Sequence, residues 1–485
     1  MTRRPWIVGC HARVLAAVAG ASSCHRQAAV DAVALSDASA EQYALPGRSS
    51  VDSARCRPKG AIAEAAPLAG GFEVGDALPF PGGIAVSLLH DTSEGTVASV
   101  ALLAADGSSP RLLDLVSPPG DAPPPRLAWR GKDIAVAEYV LRHKGARPAT
   151  PELALWEIDP TASASVTADT GAPSPGGGGP VEPSLYIPQP RHFLGFDMAY
   201  GARSGMVAWD DATPDNPPRG VIRVAALSSD SHVGTTQVAS PVDSDAEMAR
   251  VVANGSGFFV LWIARRPERA GDSGAVVGTE VTGEARTFAW LEMIAIDSRA
   301  TASSPVWRLT PATGHISAYD VRALHEGRAP GLPERAPNDG GAEPTLLVIA
   351  RDDGELADGS GGTLLRVRAT DRGPELVSDV ATEGLGRGAP ILVGGLDASV
   401  APWASWVGRD ERLRLLPLDR AGAPAAASSV EEAFDASRPL LLLANGEQML
   451  VATLGGVRAG IENDPPSSGD KSADPAGLSV FDCHR

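Results

Sequence analysis

A chain of 485 residues with 53 Gly and 41 Pro holds too many helix breakers for a helical protein, yet too few for disorder by default. Hydrophobic residues at 43% leave material for a large core, and four cysteines are too few to staple a small scaffold. The net charge of −17 argues against a nucleic-acid partner, whose phosphates call for basic surface.

The N-terminus reads as an export signal over 1–23. Arg3, Arg4 and Arg13 supply positive charge, and 14–21 is an apolar run too short to span a bilayer. Ala21-Ser22-Ser23-Cys24 resembles the lipobox of bacterial lipoproteins, with Ala21 where that pattern favours Leu. The resemblance implies lipidation of Cys24. Cleavage after Ala19-Gly20-Ala21, giving a soluble exported protein, and no export at all are the competing readings. Residues 24–55, rich in Ala, Ser and Asp, read as a flexible tether, which makes 56–485 the folded domain. Cysteine arithmetic agrees with lipidation. Cys10 leaves with the signal and Cys24 carries lipid, so Cys56 and Cys483 are free to pair. Two separate thiols, or a Cys24–Cys56 bridge, are the alternatives.

From residue 84 onward one pattern recurs. A short apolar segment is followed by a second that ends at or just before an Asp and a small-residue turn. The seven Asp are Asp106, Asp159, Asp230, Asp297, Asp371, Asp419 and Asp482, spaced 53, 71, 67, 74, 48 and 63 residues apart. Asp starts such turns because its side chain bonds nearby backbone N–H groups. The segments before these turns are 97–105, 153–158, 221–226, 291–296, 364–369, 413–418 and 478–481. Each comes after another strand-like segment: 84–89, 134–141, 206–209, 258–264, 346–350, 404–407 and 449–454. A further strand precedes several units, at 126–129, 248–253, 391–393 and 440–443. A weaker fourth comes after some of the turns, at 111–116, 306–309 and 375–377.

Four antiparallel strands repeated every 50–75 residues resemble the β-propeller architecture, with seven blades preferred to six or eight. The expected fold is therefore all-β. The seventh unit stops after its third strand, while 56–65 precedes the first complete unit. Propellers commonly close by lending a terminal strand, so 56–65 is expected beside 478–482, with Cys56 and Cys483 within bridging reach.

In a four-stranded meander, second-to-third and blade-to-blade connections share one face. Long connections are expected on it, at 170–190, 265–286, 352–362 and 455–475, with 325–343 an exception on the other face. Long loops on a rigid scaffold are where binding residues collect. The candidates on that face are Asp210, Asp211, Asp352, Asp353, Asp410 and Glu411. Clustered carboxylates can hold Ca²⁺, but none fits the Ca²⁺-loop pattern, and an acidic solvated surface is the competing reading. No other cofactor is expected. Trp209, Trp262 and Trp406 recur in second strands, where blade packing is the first reading.

Gly271-Asp272-Ser273-Gly274 resembles the nucleophile motif of trypsin-like proteases but has no activating His in context. Gly384-x-Gly386 precedes a strand rather than a helix, so it is no dinucleotide site. No His pair suits zinc. The reading that remains is a monomeric, exported, lipid-anchored propeller that binds a protein or glycan of the bacterial cell envelope without catalysis. It would meet the membrane only through its lipid. The alternative is a hydrolase or lyase using carboxylates of the long-loop face on an envelope glycan.

Overall fold

The computed structural model describes residues 56–62, 72–92, 95–104, 111–115, 118, 122–142, 150–161, 183–188, 195–201, 204–215, 218–228, 232–254, 257–267, 287–324, 345–353, 361–370, 373–382, 390–394, 400–408, 412–424, 430–432, 440–445, 448–454 and 478–484. These residues form seven sheets of four antiparallel strands. In the first six blades the strands run in chain order. Their first strands are Phe72–Phe80, Arg126–Trp129, Phe196–Tyr200, Asp245–Asn254, Ile316–Leu324 and Ile391–Val393. The seventh begins at Leu440–Asn445. Each first strand touches the first strand of the next blade, and the seventh touches the first, so the ring closes around a central lumen. The protein is a seven-bladed β-propeller.

The seventh blade is built from both ends of the domain. Its order is Cys56–Ile62, Leu478–His484, Gln448–Leu454, Leu440–Asn445, with Cys56 opposite Cys483. The two sulfurs are bonded, across a sequence separation of 427. The lent strand ends at Ile62, and residues 63–65 lie outside the described residues.

Local chemistry explains the turns. Asp159 Oδ1 accepts the Thr161 N–H at 2.7 Å, Asp297 Oδ1 accepts those of Arg299 and Thr301 at 2.9 and 2.8 Å, and Asp419 Oδ1 accepts that of Ala423 at 2.8 Å. Gly131, between the first and second strands of its blade, has a φ of 94°, a conformation that any other residue adopts at a cost. The cores lie between blades. Trp209 packs between the second and third, Trp262 between the third and fourth, and Trp406 between the fifth and sixth. All three are buried.

One expected loop is placed differently. The stretch 170–190 contains the outer strand of the second blade, Leu185–Pro188, so the connection before it joins third to fourth strand and emerges on the opposite face. That strand is only four residues long and ends in a proline, which hides it. The connections within 265–286, 352–362 and 455–475 do join second to third strands.

Chain-entropy reasoning values a cross-link over so long a loop at about 6 kcal/mol, with measured bridges giving about 2–4. Cys483→Ser is expected to lower the unfolding free energy by about 2–5 kcal/mol, measured by denaturant titration without reductant. An unchanged midpoint would show that the bridge does not secure the ring.

Candidate functional site

The structure gives four of the six expected long-loop carboxylates partners within the protein. Asp210, at the end of a second strand, is buried, and its oxygens accept the N–H groups of Met248 at 2.9 Å and Ala249 at 3.1 Å on the next blade. Asp211 is buried and paired with Arg223. Asp352 Oδ1 accepts the His315 N–H at 3.1 Å, and Asp353 pairs with Arg351 at 2.6 Å. Arg265 pairs with Glu247, and the Arg266 guanidinium stands 5.6 Å from the Phe288 ring centroid. Asp410, Glu411 and Cys24 lie outside the described residues. Among the described residues no group of three or more His, Cys, Asp or Glu converges as a metal site.

A different cluster stands on the inner strands. Strand pairing fixes its level. Asp197 pairs with Ala208, Arg250 with Leu261 and Ile391 with Ser405, each one residue before the recurring Trp. Arg126 pairs with Ala137 and Asp320 with Ile349, while Asp76 sits in a bulge opposite Ser87. Around five consecutive blades the order is thus Asp76, Arg126, Asp197, Arg250, Asp320, an alternation of acid and base that stops at the half-exposed Ile391. Arg250 feels the charges of Asp76, Asp197, Asp320 and Arg126, which stand on four other blades. Only a position near the ring axis allows that. All five are half-buried, and Arg126, Asp197, Arg250 and Asp320 keep that exposed surface although protein surrounds them, as lumen-facing groups must.

The aspartates also join blades. Asp76 Oδ2 accepts the Leu127 N–H at 3.0 Å, Asp197 Oδ2 that of Val251 at 2.8 Å, and Asp320 Oδ2 that of Leu392 at 2.7 Å. In each case the donor belongs to the inner strand of the next blade, on the edge that no neighbouring strand covers. The second oxygens of Asp76 and Asp320 accept the N–H of their own next residue, Ala77 and Val321. Asp197 has no such second bond among the described residues. Arg322, two residues beyond Asp320, lays its guanidinium where a side chain at Gly394 would stand.

Opposite charges here stop short of contact. Arg126 and Arg250 form no ion pair among the described residues. The like charge of Arg250, then burial, lowers the proton affinity of Arg126. Burial opposes the charge of Arg250, but Asp197, Tyr319, Asp320 and Asp76 outweigh it. Burial raises the pKa of Asp197 and of Asp320, and the arginines only partly offset it. Burial likewise keeps the Tyr319 phenol well above its usual range.

No family model matches the chain, and neither does any curated protein. Solved structures do. An alpha-L-arabinanase of Penicillium chrysogenum complexed with arabinobiose is 11% identical over 89% of this chain and 97% of its own, with a TM-score of 0.38. An ulvan lyase from a polysaccharide lyase family is 9% identical over 88% and 96%, at 0.46. The β-propeller domain of the Trilobed protease from Pyrococcus furiosus is 8% identical over 79% and 90%, at 0.39. At these identities and scores the likeness is one of fold.

Asp210 supplies a pH test of the blade contacts. Its pKa is raised to about 7, because burial outweighs the two N–H bonds that favour the carboxylate. The unfolded value is about 3.9, so the folded state holds an extra proton in between, and stability falls as pH rises from about 4 through about 7. The difference in unfolding free energy between wild type and Asp210→Asn is expected to shrink by about 4 kcal/mol from pH 4 to pH 8, read by urea titration. A difference that stays constant would contradict the buried, protonated Asp210.

Proposed function

We propose that the protein is an exported, lipid-anchored propeller of the bacterial cell envelope that binds a neutral or weakly charged glycan in its lumen. One observation carries this reading: Arg126, Asp197 and Arg250 face the lumen without contact ion pairs, and Asp197 keeps an oxygen that no described residue bonds. A sugar hydroxyl both donates and accepts, so it can bridge a guanidinium and a carboxylate that do not touch each other. Three carboxylates and two guanidiniums nearly cancel, which disfavours a highly charged ligand. Ile391, 43% exposed, offers an apolar surface to the C–H face of a sugar ring. Export is supported by the Cys56–Cys483 bridge, since structural disulfides persist in oxidising compartments.

A second reading, that the chain also cleaves the glycan, is favoured by the raised pKa of Asp197, which suits a proton donor. Asp76 and Asp320 are less suited, since N–H bonds occupy both oxygens of each.

Calorimetric titration with oligosaccharides released from bacterial envelopes tests both readings. Asp197→Asn is expected to weaken binding about 10-fold or more, the worth of a charge-assisted hydrogen bond, with the fold intact by circular dichroism. Equal affinity in the variant would exclude the lumen as the site. Under the second reading wild type releases new reducing or unsaturated ends from the same glycans and Asp197→Asn releases none. Cys24→Ala is expected to move the protein from the membrane fraction to the soluble exported fraction, and unchanged partition would remove the anchor.

A further inference from the structure

Among the described residues two non-glycines have a positive φ, Met248 at 60° and Ala300 at 65°. Ala300 lies in the turn that Asp297 organises. Met248 lies inside an inner strand, where a left-handed residue is strained and persists only if its surroundings impose it. The pairing explains the conformation. It passes from Glu247 opposite Ile263 directly to Arg250 opposite Leu261, so Met248 and Ala249 together face one residue in a β-bulge.

The two neighbouring blades hold that bulge. From the third, Asp210 accepts both of its N–H groups, at 2.9 and 3.1 Å. From the fifth, the Tyr319 hydroxyl lies 2.7 Å from the Met248 carbonyl oxygen and 2.8 Å from that of Leu261, one proton serving two acceptors. The two oxygens of Asp210 satisfy the donors of the bulge and the phenol its acceptor.

The extra residue shifts the side-chain alternation of the strand beyond it. Ala246, Ala249 and Val251 all belong to the core against the third blade, while Val252 belongs to the core against the fifth. Strict alternation from Ala246 would have put Met248 and Arg250 on the face toward the third blade, among Met206, Ala208 and Val224. With the bulge in place, Arg250 turns away from that apolar layer.

We infer that Asp210 and Tyr319 are positioning residues: they clamp Met248 in its left-handed conformation so that the Arg250 guanidinium stands in the lumen, where it is the principal grip on the ligand. The second half of this inference rests on the lumen-binding reading, and the first half does not.

Phenylglyoxal, which modifies accessible arginines, separates the two. The rates at Arg250 and Arg126 are measured by peptide mass in the full chain of wild type, Tyr319→Phe and Asp210→Asn. Loss of the clamp lets Arg250 turn from the lumen toward the apolar layer, and is expected to lower its rate relative to Arg126 by about fivefold, the factor that corresponds to about 1 kcal/mol. General loosening would raise both rates together, so an unchanged ratio in Tyr319→Phe, which keeps the ring and its packing, overturns the positioning role. Affinity for the tightest envelope oligosaccharide is measured on the same samples. Weaker binding in Tyr319→Phe together with a lowered ratio supports the whole inference. A lowered ratio with wild-type affinity overturns Arg250 as the principal grip. A wild type that binds none of the oligosaccharides overturns the lumen reading, and the ratio still decides whether the clamp positions Arg250.

Discussion

Each inner strand of a propeller has one edge paired within its blade and one bare edge facing the lumen. The N–H groups on that bare edge are the constraint on which the rest of this molecule depends. A buried unpaired donor costs about 1–3 kcal/mol, so each needs water or an acceptor. Here Asp76, Asp197 and Asp320 supply acceptors across the gap between blades, to Leu127, Val251 and Leu392. Three carboxylates so close to one axis would repel one another, and Arg126 and Arg250 on the intervening blades offset them. A backbone requirement has thus produced a charged lumen. The same groups that fasten blade to blade give the channel its chemistry.

The seventh blade is fastened differently. Its inner strand is a run of leucines, and the ring is fastened by sharing strands between the two ends of the domain, with a disulfide across them. The lumen is therefore lopsided, charged along blades one to five and bordered by Ile391 in the sixth. A ligand with a polar edge and an apolar face matches that asymmetry better than one that is charged all round.

The architecture was legible in the sequence and the charged ring was not. Turn chemistry made the repeat visible, since Asp159, Asp297 and Asp419 bond the backbone as turn residues do wherever they occur. The closing strand and its bridge were legible because an incomplete last unit and a cysteine at each end had one explanation. The inner strands Phe72–Phe80, Phe196–Tyr200 and Ile316–Leu324 escape the repeat pattern. Those three carry Asp76, Asp197 and Asp320. Asp is disfavoured in strands, and Gly75 and Pro79 further disguise the first of them. The residues that form the candidate site are the ones that spoil the strand pattern. Asp210 stands out in the sequence as a loop-face acid. Its burial against Met248 and Ala249 could not be read from spacing, because the blades join residues far apart in the chain. The signal available was the strand-embedded Asp itself, recurring two blades apart.

The central claim is that the ring Asp76–Arg126–Asp197–Arg250–Asp320 is a ligand site as well as a fastening. The most direct measurement is a crystal structure of the protein soaked in envelope-derived oligosaccharides. Sugar density bridging the free oxygen of Asp197 to the guanidinium of Arg126 or Arg250 is the expected result. Density confined to the outer loop face, with only water between those three side chains, would contradict it.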